Sequence, residues 1–205
     1  MTELFTAVFK GDLNKAKACV QQAIEAGDTP QSIIDDNMIP AMEAIGKEFE
    51  QGKAFVPNLL MSARAMKGAL ELLKPQMLAG QTTALGKVVI GTVKGDLHDI
   101  GKNLVASMLE GCGFEVVNLG TDVPTDKFVN AVRNNSADIL CLSALLTTTM
   151  DNMKEVIDAV RGAGLPVRIM VGGAPVSADF ASRIGADGYS SNANEAVALA
   201  KSLIS

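Results

Sequence analysis

The chain has 205 residues, of which 48% are hydrophobic and 4% aromatic, with no tryptophan and one tyrosine. This length allows one large domain or two small ones, with enough aliphatic and methionine side chains to build a core. The net charge of −5 argues against non-specific binding to nucleic acid or to an anionic membrane. No apolar run approaches the ~20 residues of a membrane span, and the amphipathic, acidic residues 1–27 resemble no signal peptide.

The three cysteines, Cys19, Cys112 and Cys141, lie in apolar surroundings. Their odd number argues against disulfides, and the lack of a C-x-x-C pair argues against a structural zinc site. We interpret each as a small buried hydrophobic side chain and expect a cytoplasmic protein.

Up to about residue 81, apolar residues recur at three- and four-residue spacing, which predicts helices only. The predicted helices are Glu3–Phe9, Leu13–Ala26, Thr29–Gly46 and Pro57–Leu73. Asp28 or Thr29 ahead of Pro30 is a typical helix start. The small, polar segment Leu78–Gly86 is the predicted linker to the rest of the chain.

From residue 86 the pattern changes to alternating strands and helices. The predicted strands are Lys87–Gly91, Glu115–Leu119, Asp138–Ser143, Val167–Val171 and Gly188–Tyr189. The predicted helices are Gly101–Gly111, Pro124–Asn134, Thr149–Ala163, Ser177–Ile184 and Ala193–Ile204. Near-continuous apolar strands separated by helices indicate a parallel sheet covered on both faces. We therefore predict an α/β protein: a helical domain over 1–83, then a flavodoxin-like, doubly wound, five-stranded domain over 84–205.

The single histidine lies directly after the first predicted strand, in Gly95-Asp96-Leu97-His98-Asp99-Ile100-Gly101. Ligands of α/β folds bind at the carboxyl ends of the strands, where this loop lies. Asp96 could hold one ring nitrogen of His98, which leaves the other nitrogen to ligate a metal or to act as a base. A lone loop histidine is more often a solvated or capping residue, so the loop by itself leaves both readings open.

The third and fourth predicted strands deliver two more loops to the same edge. One is the hydroxyl-rich Ser143-Ala144-Leu145-Leu146-Thr147-Thr148-Thr149, and the other is Gly172-Gly173-Ala174-Pro175. Without Cβ atoms, paired glycines let a ligand approach the backbone. Each loop also has a plain interpretation, as a cap for the helix near Asp151 and as a tight turn. Their convergence favours a site for a large, flat cofactor with polar edges, and no phosphate-binding glycine motif occurs.

Three parts of the sequence resemble the cobalamin-binding signature D-x-H-x-x-G … S-x-L … G-G. They are Asp96-x-His98-x-x-Gly101, Ser143-x-Leu145 and Gly172-Gly173, in the same order and at similar gaps. The resemblance covers the whole chain, because the first half is similar to the helical cap domain that accompanies this fold. The chain is therefore similar to corrinoid proteins of methanol, methylamine and methoxyaromatic methyltransferase systems, and to the cobalamin region of methionine synthase.

This resemblance implies that cobalamin binds with its own dimethylbenzimidazole displaced and that His98 is the lower axial ligand of cobalt. It implies that Asp96 accepts a hydrogen bond from the other ring nitrogen and that Thr149, where methionine synthase has a serine, completes the relay. Further cofactor contacts are implied for Gly95, Leu97, Asp99, Ile100 and Gly101, for Ser143, Leu145 and Thr147 along the nucleotide-tail channel, for Gly172 and Gly173 beside it, and for Asn192 and Ala193 near the tail.

In the helical half, Phe49, Val56 and Leu59 match the Phe-x6-Val-x2-Leu pattern of the cap segment over the upper corrin face. By resemblance they would shield a cobalt-bound methyl group from water and oxygen. The competing interpretation is that all three are ordinary core residues of a helical bundle.

The function that the resemblance implies is that of a methyl carrier, a subunit with no catalytic side chain acting on the substrate. Its cofactor would alternate between methylcobalamin and cob(I)alamin. Its partners would be a substrate-specific methyltransferase, a second methyltransferase with tetrahydrofolate or a thiol as acceptor, and a reductive activation protein, with no nucleic acid and no membrane. Two alternatives stay open: a cobalamin-dependent sensor, and the small subunit of an adenosylcobalamin mutase. The methyl donor (methanol, a methylamine, glycine betaine or a methoxyaromatic) is not specified by these residues.

Overall fold

The computed structural model describes residues 1–73 and 84–204. The chain divides into two compact units. The first holds the described residues up to Leu85 together with Ser107–Gly113, and the second holds Gly86–Ala106 and the residues from Phe114 onward. The predicted linker Leu78–Gly86 lies largely outside the described residues.

The first unit is built from helices. They are α1 (Glu3–Phe9), α2 (Leu13–Ala26), α3 (Pro30–Ile33), a π-helical turn (Ile34–Met38), α4 (Ile39–Glu50) and α5 (Val56–Leu73). Side-chain caps start the first two, because the hydroxyl of Thr2 accepts the Phe5 N–H and the carboxylate of Asp12 accepts the Lys15 N–H. Apolar residues at helical spacing are buried as predicted, Val20 among them.

The prediction of one uniform helix over Thr29–Gly46 is wrong in two respects. The helical run continues to Glu50, and the π-helical turn Ile34–Met38 interrupts it. This turn ends two residues before Pro40, which has no N–H to donate to the carbonyl of Asp36. The wider turn also gives the proline ring room beside the preceding backbone. Hydrophobic spacing reports which face is buried and does not detect this local change of pitch.

The second unit contains five strands and five helices. The strands are β1 (Lys87–Thr92), β2 (Glu115–Asn118), β3 (Ile139–Ser143), β4 (Arg168–Gly172) and β5 (Gly188–Tyr189). The helices are α6 (Ile100–Gly111), α7 (Thr125–Asn135), α8 (Asp151–Gly162), α9 (Ala178–Ile184) and α10 (Ala193–Ile204). All strand pairs are parallel, in the order β2-β1-β3-β4-β5. The predicted doubly wound, flavodoxin-like fold is confirmed, with element ends within two residues of those predicted.

The three central strands of the sheet are largely buried, and their register aligns the loops of interest. Residues 139–142 of β3 are all buried, and burial raises the pKa of the Cys141 thiol to about 12. Thr92, Ser143 and Gly172 stand opposite one another across three neighbouring strands. The loops after β1, β3 and β4 therefore leave the sheet side by side, at the point where the strand order reverses.

None of the helices within the described residues combines the length and the apolar composition of a membrane span.

Candidate cofactor site

The backbone of the His98 loop is fixed from the sheet edge. The buried hydroxyl of Thr92 donates to the His98 carbonyl at 3.0 Å, and the His98 N–H donates to Asp96 Oδ1 at 3.0 Å. The Val93 N–H donates to the Ser143 carbonyl at 3.0 Å, which ties the start of the loop to β3. The main chain on both sides of the histidine ring is thus held before any ligand binds.

Asp96 is the polar centre of the site, and its side chain has no exposed surface. Besides the His98 N–H, its Oδ1 lies 2.7 Å from His98 Nδ1. Its Oδ2 accepts the N–H groups of Leu145 at 2.7 Å and Leu146 at 3.2 Å, and it lies 2.9 Å from the Thr149 hydroxyl oxygen. Burial opposes ionisation of Asp96, but the hydrogen bonds from Leu145, His98 and Thr149 outweigh it, so its pKa lies well below the usual range.

An ionised Asp96 determines the tautomer of His98. Because a carboxylate only accepts hydrogen bonds, the proton of the neutral imidazole stays on Nδ1. The unprotonated Nε2 then carries a free lone pair, on a side chain that is 51% exposed. The arrangement offers one oriented nitrogen, His98 Nε2, as a ligand for a metal on the exposed side of the imidazole.

Thr149 does not have the capping role that its sequence position offered. The residue that precedes α8 is Met150, which caps the helix with no side-chain hydrogen bond. The single hydroxyl proton of Thr149 faces both Asp96 Oδ2 and the Leu146 carbonyl, each at 2.9 Å. The carboxylate is the stronger acceptor because it is charged. Thr149, Asp96 and His98 thus form the continuous hydrogen-bonded chain that the resemblance implied.

The glycines at the end of β4 are closely packed by the protein itself, and Gly173 is required there. Gly173 has a φ of +135°, and a Cβ at this position would lie 1.9 Å from the Ala144 carbonyl oxygen. A Cβ on Gly172 would lie 3.3 Å from the Ser190 carbonyl oxygen. The β4 loop therefore fits against the β3 loop only because Gly173 lacks a Cβ, which lets the two main chains approach closely.

Apolar side chains from two loops stay exposed beside this polar centre. Leu97 is 73% exposed, Ile100 86%, and Leu145 and Leu146 41% each. Leu97 adjoins the histidine, and the two other leucines donate their N–H groups to Asp96. Clustered exposed apolar side chains of this kind mark a binding surface. They suit a ligand with a broad apolar face.

The remaining predicted residues fall into three groups. The first group lies on or next to the first and third loops and consists of Gly95, Gly101, Ser143 and Thr147. Asp99, in the first of these loops, accepts a hydrogen bond from Asn103 in the first turn of α6. Asn192 caps α10 by accepting the N–H groups of Asn194 and Glu195, and Ala193 is buried. In the helical unit, Leu59 is fully buried, Phe49 is half-buried and Val56 is 38% exposed.

The sequence prediction overlooked the loop that follows β2. There Asp122 accepts the Gly95 N–H at 2.7 Å and donates its own N–H to the Asp96 carbonyl at 3.0 Å. Gly120-Thr121-Asp122 has turn composition and follows a strand at the same sheet edge, which is the signal that could have identified it.

The donor set fits a metal that brings most of its own ligands. Among the described residues, no group of three or more His, Cys, Asp or Glu side chains could hold a metal ion. One imidazole with a tethered Nδ1, next to exposed apolar side chains, suits a metal that is already enclosed in a macrocycle. A corrinoid, whose ring supplies four nitrogens to cobalt, meets that description.

Comparison with known proteins agrees with this chemistry. Two families described as B12 binding domains match the chain, one over residues 86–198 and the other over residues 1–74. Dimethylamine corrinoid protein 2 of Methanosarcina acetivorans is 42% identical over 207 residues, covering 100% of this chain and 95% of the relative. The trimethylamine corrinoid protein of Methanosarcina barkeri is 42% identical, covering 97% of this chain and 93% of the relative.

Solved structures show the same architecture. A cobalamin-binding protein from Desulfitobacterium hafniense superposes with a TM-score of 0.84 at 32% identity, covering 98% of this chain and 97% of that one. The methanol:cobalamin methyltransferase complex of Methanosarcina barkeri gives 0.85 at 36% identity, covering 98% of this chain and 78% of the matched chain. Both family matches, the full-length relatives and the oriented imidazole lead to one conclusion: the chain belongs to the corrinoid proteins with B12 binding domains, and its cofactor is cobalamin.

Proposed function

We propose that the protein is a methyl carrier in which His98 is the lower axial ligand of cobalt, with the cofactor's own dimethylbenzimidazole displaced. One observation carries the proposal: the exposed imidazole has its Nδ1 2.7 Å from a buried carboxylate. That contact leaves Nε2 free and aimed by a fixed loop. When bound, cobalamin would supply the cobalt that carries the methyl group between two partners.

The residues around His98 adjust the basicity of its free nitrogen. Asp96 draws the Nδ1 proton toward itself, which increases the electron density that Nε2 can donate. The Leu145 and Leu146 N–H groups and the Thr149 hydroxyl share the charge of Asp96 and so limit this pull. The ligand strength of His98 is thus a balance between one carboxylate and the donors that share it.

The other predicted contacts complete the proposed site. The exposed side chains Leu97, Ile100, Leu145 and Leu146 would lie against the corrin ring, and Ser143, Thr147, Gly172 and Gly173 would border the nucleotide tail. Phe49, Val56 and Leu59 of the helical unit would cover the upper face. The sequence signature supports these roles, and the exposed apolar residues of the first and third loops support the contacts with the corrin ring.

We further propose that the partners are a substrate-specific methyltransferase, a second methyltransferase with tetrahydrofolate or a thiol as acceptor, and a reductive activation protein, all in the cytoplasm. Support comes from a structural neighbour that is part of a methanol:cobalamin methyltransferase complex, and from relatives named for dimethylamine and trimethylamine. In this arrangement the methyl donor is selected by the first methyltransferase.

The test uses the fact that the chain contains a single histidine. Electron paramagnetic resonance of the cob(II)alamin complex should show splitting from one imidazole nitrogen, and growth on ¹⁵N-labelled histidine should change that splitting. His98→Ala should abolish the splitting that responds to the histidine label. A nitrogen splitting that the ¹⁵N label leaves unchanged would rule out His98 as the ligand. Methylation of the bound cobalamin by a partner methyltransferase, measured from its visible spectrum, would then test the carrier role separately.

A further inference from the structure

The segment Asn118–Val123, which begins at the last residue of β2, bonds to the His98 loop on both sides of the histidine. On the entry side, the Gly95 N–H donates to Asp122 Oδ1 at 2.7 Å, and the Asp122 N–H returns a bond to the Asp96 carbonyl at 3.0 Å. A parallel bridge between Val93 and Val123 extends this contact beyond the ends of the two strands. The entry to the loop is thus fixed by a reciprocal pair of bonds.

On the exit side, the contact runs through a buried cation. Lys102, only 4% exposed, donates from Nζ to Asn118 Oδ1 at 2.6 Å and to Asn103 Oδ1 at 2.8 Å. Asn103 Nδ2 in turn donates to Asp99 Oδ2 at 2.8 Å, on the residue directly after the histidine. A buried lysine in the first turn of a helix is opposed by both burial and the helix dipole, so this position violates two local preferences. Such violations are typical of functional sites.

Asp122 violates a third preference. Its φ of 51° lies in the left-handed region, which non-glycine residues adopt rarely although aspartate tolerates it better than most. Within the described residues, Ser136 at the end of α7 is the other non-glycine residue with positive φ, at 48°. The strain at Asp122 is maintained by the two bonds to Gly95 and Asp96, and both bonds act on the main chain that carries His98.

We propose that the segment Asn118–Val123 and Lys102 of α6 together form a two-sided clamp that positions the His98 imidazole, with Asp122 and Lys102 as the positioning residues. The hydrogen bonds of the clamp reach Gly95, Asp96 and, through Asn103, Asp99, and none of these bonds ends on the imidazole ring. This inference rests on the proposed ligation of cobalt by His98 and goes beyond it, because it assigns control of the ligand's position to a loop outside the cobalamin-binding signature.

The test compares Asp122→Ala, which removes the acceptor for the Gly95 N–H, with Asp122→Asn, which keeps an acceptor oxygen and tolerance of positive φ. Ser136→Ala is the matched control, because it places alanine at the same strained φ on a residue at the far end of α7. Lys102→Met tests the exit side. Two readouts apply to full-length protein: nitrogen splitting in the cob(II)alamin spectrum, and the dissociation constant for aquocobinamide. Aquocobinamide lacks the nucleotide tail, so its binding depends more strongly on the axial ligand.

We expect Asp122→Ala and Lys102→Met to weaken aquocobinamide binding roughly fivefold each, the factor that one net hydrogen bond represents. The nitrogen-split fraction of the cob(II)alamin signal should fall in parallel, with both readouts restored in Asp122→Asn and unchanged in Ser136→Ala. The clamp is refuted if wild type shows nitrogen splitting and the Asp122→Ala and Lys102→Met proteins match Ser136→Ala in both readouts. Wild-type protein without nitrogen splitting would refute the proposed ligation itself, and the clamp with it.

Discussion

Each of the two units of this chain is stabilised internally in a different way. In the helical unit the interior is made of apolar side chains at helical spacing, such as Val20, Met38 and Leu59, all fully buried. At the loop edge of the α/β unit, one buried carboxylate receives hydrogen bonds from two loops of the chain, and one glycine admits a neighbouring carbonyl. The first arrangement depends on volume, and the second depends on particular atoms.

The difference indicates where each unit tolerates substitution. A core that depends on volume accepts exchanges of similar size, because buried methylene groups contribute in proportion to the space they fill. A site that depends on single atoms does not accept even isosteric exchanges, since a lost acceptor leaves buried donors unpaired. Four substitutions test this contrast, in order of decreasing expected effect.

Gly173→Ala should have the largest effect. The new Cβ would lie 1.9 Å from the Ala144 carbonyl oxygen on a residue with a φ of +135°. Overpacking and backbone strain together should lower the free energy of unfolding by about 3–6 kcal/mol. Gly164→Ala is the control, because Gly164 also has positive φ but no atom within 4 Å of the added Cβ; it should lose only about 1 kcal/mol. Equal losses in urea unfolding would show that φ alone matters at Gly173.

Leu59→Ala tests the helical unit, where Leu59 is fully buried. Cavity formation should cost about 2–5 kcal/mol of unfolding free energy, whereas Leu60→Ala, at a neighbouring residue that is 40% exposed, should cost far less. If Leu59 also covers the upper corrin face, photolysis of bound methylcobalamin should accelerate in Leu59→Ala and stay unchanged in Leu60→Ala. A stability loss with unchanged photolysis would return Leu59 to the ordinary core, and the same measurement applies to Phe49→Ala.

Asp96→Asn keeps the shape of the side chain but removes its charge, and its amide group would face donors. We expect a loss of about 2–3 kcal/mol in the apo protein at neutral pH. The pKa of Asp96 in the folded protein is depressed below the ~3.9 of an unfolded aspartate. The contribution of Asp96 to the free energy of unfolding is therefore present above the unfolded pKa and is lost as pH falls through the folded pKa.

The difference in unfolding free energy between wild type and Asp96→Asn should therefore be constant above about pH 5 and shrink on acidification. Asp158→Asn is the control, since Asp158 is 61% exposed in a surface ion pair with Lys154. That substitution should change stability by less than about 1 kcal/mol. If the difference in unfolding free energy between wild type and Asp96→Asn grew as pH falls, the assignment of Asp96 as an ionised acceptor would be contradicted.

Thr149→Val should have the smallest effect, about 1 kcal/mol, because it removes one of the donors to Asp96 and keeps the volume. Thr149→Ser, which keeps the hydroxyl, should retain the wild-type nitrogen splitting in the cob(II)alamin complex, whereas Thr149→Val should alter it. Identical spectra for the two variants would remove Thr149 from the relay and leave it as a packing residue.

The sequence alone determined the fold class and the central part of the site. Strand–helix alternation after residue 86 predicted the five-stranded sheet, because fully buried parallel strands must be nearly continuous in apolar residues. The position of His98 directly after the first strand predicted its place at the ligand edge, and Asp96 at a spacing of two predicted its partner. Local spacing was sufficient for these because the contacts join residues that are close in the chain.

Contacts between segments far apart in the chain were decided only by the tertiary structure. The Leu145 N–H reaches Asp96 across 49 residues, and the Gly95 N–H reaches Asp122 across 27. The alternative uses of Thr149, as a helix cap or as a donor to Asp96, have the same sequence pattern; packing selected the second by bringing β3 beside β1. The need for glycine at position 173 was also decided by the tertiary structure, because the carbonyl that leaves no room for a Cβ belongs to Ala144 in a neighbouring loop. Sequence spacing specifies which side chains share a local turn, but only the sheet register determines which distant main-chain atoms meet them.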